Sequence, residues 1–160
     1  MDRCELLGAF GAAAAGMLAT GAFAAPAGEE HDHHHHMDKM HEECLKHCGG
    51  CALACNMLAH HCMDQICEGG GDVKKHARVH SLADDCQAFC VLSATMIARS
   101  SNLMEYSCGA CADACRECAE ECEKSPDDHV HKECAEKLRA CEKSCREMVA
   151  HMKASGAAKS

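Results

Sequence analysis

The chain has 160 residues, with Lys+Arg 16 against Asp+Glu 25 and a formal net charge of −9. It carries 17 cysteines, no Trp and one Tyr. The length suits one domain, and an acidic chain without a basic, aromatic-interleaved stripe speaks against a nucleic-acid partner.

Residues 1–27, MDRCELLGAFGAAAAGMLATGAFAAPA, combine a short basic start with an Ala/Gly/Leu run and small residues. That is the layout of an export signal, with Ala22-Phe23-Ala24 or Ala25-Pro26-Ala27 at the cleavage site. The run is too short and too Gly-interrupted for a membrane anchor. Residues 28–36 form a flexible His-rich segment, and the stretch HDHHHHMDKMHEEC captures metal by composition.

Removal of the signal takes Cys4 with it. The remaining sixteen cysteines outnumber the fifteen Leu, Ile, Val and Phe residues of the same stretch. Such a low aliphatic content with net charge ordinarily means disorder, unless cysteine replaces the core.

Periodicity decides for a fold. Residues 37–68 read as a first helix stopped by Gly69-Gly70-Gly71, and residues 73–99 as a second. Asn102, with Glu105 three residues on, predicts the N-cap of a third helix reaching residue 123. Ser125-Pro126-Asp127-Asp128 predicts the start of a fourth, which runs to residue 153. Residues 154–160 are expected to be a flexible tail, and no strand pattern occurs.

At about 100° per residue, Cys44, Cys48, Cys51, Cys55 and Cys62 share an arc of about 60°. Cys108, Cys111, Cys115, Cys118 and Cys122 lie within about 80°, and Cys134, Cys141 and Cys145 within about 40°. Cys86 and Cys90 share a face with Val79, Leu82, Ser93 and Ile97. These are apolar-stripe positions filled by sulfur, and they predict an all-α, antiparallel up-down four-helix bundle with a cysteine-lined core. Gly49 and Gly50 interrupt the first helix, either for close packing against a neighbour or for a bend that re-aims thiols.

Cysteines three or four apart on a helix have Cβ atoms about 5–6 Å apart, too far for the 3.5–4.5 Å of a disulfide. Free thiols in such number are an oxidative liability. Metal remains. Zinc and iron–sulfur sites draw on turn and loop spacings, whereas Cu(I) is satisfied by two or three soft thiolates. The i,i+4 pairs Cys44/Cys48, Cys51/Cys55, Cys86/Cys90, Cys111/Cys115, Cys118/Cys122 and Cys141/Cys145 suit it.

An up-down topology gathers Met37, Met40, His41, Met96, Met104, Met148, His151 and Met152 at one end. There Met37, Met40, His41, Met148 and Met152 are candidate soft ligands of an entry mouth, with Met104 and His151 turned outward. The opposite end holds His60, His61, His76, His80, His129 and His131, none singled out as a ligand. Cys67 sits about 140° from its helix's stripe and is a ligand only where that helix frays.

Taken together, the cysteine ladders, the aromatic-poor core and the Met/His end resemble the copper storage proteins, across about residues 37–152. The resemblance implies multiple Cu(I) ions held by cysteines and a homo-oligomer, commonly a tetramer. It also implies export to the periplasm. Exported members carry a twin-arginine signal; here Cys4 follows Arg3 where the second arginine stands. Expected partners are copper ions, further copies of the chain and a copper donor or acceptor protein, with neither nucleic acid nor membrane. No catalytic constellation is present, so an enzyme is not expected. Metallothionein-like zinc or cadmium sequestration and a disulfide-stapled secreted interaction module remain the alternatives.

Overall fold

The computed structural model describes residues 37–157. The expected export signal and the His31–His36 run lie outside them. Four helices follow in order: α1 Lys39–Glu68, α2 Val73–Ala98, α3 Met104–Cys122 and α4 His129–Ala157. Contacts join α1 to α2, α2 to α3, α3 to α4 and α4 to α1, without diagonal pairs, so the helices form a square bundle of sequential antiparallel neighbours.

Local chemistry sets the ends. Asp38 caps α1 by accepting from the His41 N–H, and Gly69 closes it in the left-handed region at φ 67. Asp72 caps α2 through the N–H groups of Lys74 and Lys75. Two starts differ from the sequence expectation. The α2–α3 reversal uses Ser100 at φ 50 and bonds Ser101 N–H to the Met96 carbonyl. That tight closure occupies residues 100–103, so α3 begins at Met104 and the Ser101 hydroxyl, not Asn102, accepts from the Leu103 N–H.

In the fourth start, Asp128 N–H bonds the Ser125 carbonyl, and Ser125 to Asp128 make a turn with Pro126 inside it. The cap falls to Asp128, which accepts from Val130 and His131 N–H. α4 then continues to Ala157, into the stretch expected to be a tail.

The core is mostly sulfur. Leu58, Ile97, Leu138, Met148 and Val79 are the largest fully buried apolar side chains, and most of the remaining interior is cysteine with small alanines. α1 passes through Gly49 and Gly50 as continuous helix, and an added Cβ at either meets nothing within 4 Å. Close packing within the chain is therefore not their role. No helix among the described residues is long and apolar enough to cross a membrane.

Candidate metal centre

The helical register brings fifteen cysteines inside, and all sixteen described ones are free thiols. Each helix turns its sulfur stripe to the bundle axis. The closest approaches then run between helices, not along them. Cys86 and Cys115 Sγ are 3.5 Å apart, Cys48 and Cys145 3.6 Å, and Cys90 and Cys111 3.6 Å. Cys51 lies 3.8 Å from Cys115, and Cys48 and Cys44 each lie 3.9 Å from a thiol of α4. Of the i,i+4 pairs singled out from sequence, Cys86/Cys90 makes a direct contact, at 4.0 Å.

These contacts form overlapping sets whose sulfur atoms all lie within 4.8 Å of one another. One is Cys44, Cys108 and Cys145. Next comes Cys48, Cys111, Cys141 and Cys145, followed by Cys90, Cys111, Cys115 and Cys141, and then Cys51, Cys86, Cys90 and Cys115. Cys90, Cys111, Cys115, Cys141 and Cys145 each belong to two sets, so the sets join into one ladder. Cys55 continues it through Cys118 and Cys134, and Cys122 adjoins Cys118 and Cys134.

Without a cation such a cluster divides its protons unevenly. Thiol donors, Cys115 first and then Cys51, pull Cys86 down to about 6. Cys122 and then Cys55 likewise pull Cys118 to about 6. The donors pay in kind: Cys115 and Cys122 are pushed up, because giving a hydrogen bond to a thiolate requires the proton. A buried, partly ionised sulfur cluster is a cation site.

The methionine end is only partly assembled as expected. Met148 is fully buried, and Met104, expected to face out, is 3 % exposed. Met37, Met96 and Met152 pack against the core half-buried. His41 Nδ1 lies 2.8 Å from Asp38 Oδ2, and its ring meets that of His151 edge-on at 6.3 Å. Met40 is exposed. At about 40° from Cys44 it sits at the edge of the α1 stripe, whereas Met37, further out along the chain but nearer the stripe's centre, packs against the core. Cys67 is exposed as well. α1 stays regular to Glu68 and does not fray, so this thiol keeps its outward angle, away from the ladder.

Sequence reasoning left the opposite end undivided, whereas the structure sorts it. His131 is fully buried and His76 nearly so, while His60 and His129 are exposed. A signal was present in the spacing: His131 is three residues before Cys134 and His76 three before Val79, both on inward stripes.

A family model described as copper storage protein matches residues 37–150. Among solved structures, a double histidine-to-alanine mutant of Streptomyces lividans Ccsp is similar, with a TM-score of 0.62 and 27% identity. The match covers 69% of this chain and 93% of that one. No curated protein sequence matches the chain.

Proposed function

The chain belongs to the copper storage protein family, and from that premise we propose that each monomer holds many Cu(I) ions in a single thiolate ladder along the bundle axis. The observation that carries this reading is the sharing of Cys90, Cys111, Cys115, Cys141 and Cys145 between adjacent sets. Shared sulfur lets one thiolate bridge two ions, so loading proceeds from set to set. The ladder ligands are the buried cysteines other than Cys62, which stands at the far end beside His131. Met40 and Cys67 fall outside the array.

Cu(I) is favoured over zinc because the donors are uniformly soft and closely spaced. Each ion replaces thiol protons, so loading releases protons and is weaker in acid. The buried thiolate charge is neutralised as it forms, leaving a dry and strongly bonded interior. Met104 and Met148, with Met37, His41 and Met152 around them, supply neutral soft donors where copper enters.

Exposed apolar side chains on α1 and α2, Leu53, Met57, Val91 and Leu92, support association into a homo-oligomer, a tetramer by resemblance. Residues 1–27 direct export to the periplasm, where the His31–His36 run gathers copper for loading. Delivery there calls for a copper donor or acceptor protein.

Anaerobic titration of the reduced protein with Cu(I) against a competing chelator tests the reading. The expected result is saturation at many ions per chain. Saturation at one or two ions, or failure to compete, removes the store.

A further inference from the structure

At the end away from the methionines, the interior changes chemistry. Cys62 of α1, His76 of α2 and His131 of α4 bring their potential ligand atoms within 4.8 Å of one another. Cys62 and His131 are fully buried and His76 is 9% exposed. Cys62 Sγ is 3.9 Å from His131 Nε2. The other ring nitrogen, Nδ1, lies 3.0 Å from Asp128 Oδ2, and the same oxygen is 2.9 Å from His61 Nε2.

Asp128 is anchored independently, because its Oδ1 caps α4. It places a carboxylate oxygen behind the His131 ring, close to Nδ1 but off the line of a hydrogen bond, while Nε2 faces the thiol. A carboxylate behind an imidazole is the arrangement that orients metal-ligating histidines.

Two further observations point to a ligand. His76 Nδ1 is buried without a hydrogen-bond partner, a cost of about 1–3 kcal/mol that a bound ion removes. Beside it, a Cβ on Gly71 would lie 3.3 Å from His76 Nε2, so the glycine loop leaves the ring just enough room.

We propose that Cys62, His76 and His131 form a separate site for one divalent borderline cation of the zinc class, apart from the copper ladder. The donor set is one thiolate and two imidazoles, the mixture such ions take with a fourth position open. Donor type decides against Cu(I) here. Two imidazoles of the three donors suit a borderline divalent ion, whereas Cu(I) finds uniformly soft thiolates in the ladder. Binding displaces the Cys62 proton to solvent, involves no electron transfer, and ties α1, α2 and α4 together at this end.

The test uses the full-length protein, reduced and saturated anaerobically with Cu(I), then titrated with Zn²⁺ or Co²⁺ against a chromophoric chelator. One divalent ion per chain should be retained beside the full copper complement, and Co²⁺ should show a thiolate charge-transfer band with tetrahedral d–d intensity. His76→Ala/His131→Ala should lose both signals while keeping helix content. Asp128→Asn preserves an N-cap residue and should weaken affinity by about 10–100-fold. Loss of the divalent ion on copper saturation overturns the proposal, as does unchanged retention in the double variant. Should the double variant not fold, Asp128→Asn decides alone, and unaltered affinity there overturns it. Copper capacity is read in the same samples, so a failure of the store and a failure of this site are separate results.

Discussion

Cys115 is the most informative single position, because its thiol touches Cys86 at 3.5 Å, Cys51 at 3.8 Å and Cys90 at 3.9 Å. It also belongs to two of the overlapping sets. If each thiolate bridges two ions and each ion takes two thiolates, the fourteen buried cysteines other than Cys62 hold about fourteen ions; without sharing they hold about seven. Cys115→Ala removes a ligand from two neighbouring positions and should lower capacity by about one to two ions. At free Cu(I) about 100-fold above Kd, each ion adds about 2.7 kcal/mol, so copper-dependent stabilisation should fall by about 3–5 kcal/mol. Deleting one sulfur from the apo core costs about 1 kcal/mol. The variant should therefore resemble the parent when empty and differ strongly when full. Cys67→Ala, outside the array, should change neither. Chelator-competed titration with native mass spectrometry gives capacity, and anaerobic urea unfolding of empty and loaded protein gives stability. Full capacity in Cys115→Ala, or an equal loss in Cys67→Ala, refutes the shared ladder.

Apo-protein stability should fall as pH rises above about 9. Burial and then the Asp128 charge hold Cys62 up to about 11, and contact with Cys122, with burial, holds Cys134 up to about 12. Over that window the unfolded thiols have ionised while these two have not, so the unfolded state binds fewer protons and each thiol subtracts about 1.4 kcal/mol per pH unit; metal-loaded protein should be flat in the same urea series. Met104→Leu/Met148→Leu, which conserves volume and should cost under about 1.5 kcal/mol, should slow copper loading in stopped-flow mixing without changing final capacity. Gly49→Ala and Gly50→Ala face open space and should each raise the thermal midpoint, by about 1 kcal/mol of added helix stability.

The bundle was legible because one variable, the angular position of cysteine around each helix, encodes both burial and ligand placement. Three and four residue steps put Cys108 to Cys122 on one face whatever packs against it. What packs against it is another matter. Cys86 meets Cys115 and Cys48 meets Cys145 because of axial offsets between helices, and those depend on loop geometry that periodicity does not contain. The tight reversal at Ser100 and the turn at Ser125–Asp128 show the same limit: local signals marked the breaks, but the competing hydrogen bonds around them chose the capping residue. Met40 lies exposed at the edge of the α1 stripe, about 40° from Cys44, while Met37 near the stripe's centre packs inward, so a small angular margin separated the two.

The histidine end shows where residue type and register must be read together. Six histidines near two chain reversals look like a solvated surface, and for His60 and His129 that is the outcome. His131 differs because the inward stripe of α4 extends one step beyond Cys134, and Asp128 three residues earlier supplies both the helix cap and a carboxylate 3.0 Å from its ring. The interior thus runs from neutral thioethers through shared thiolates to imidazole backed by carboxylate. A soft monovalent ion is matched along most of that path and mismatched in donor type at its last step. The same four stripes that build the copper ladder thereby set its boundary.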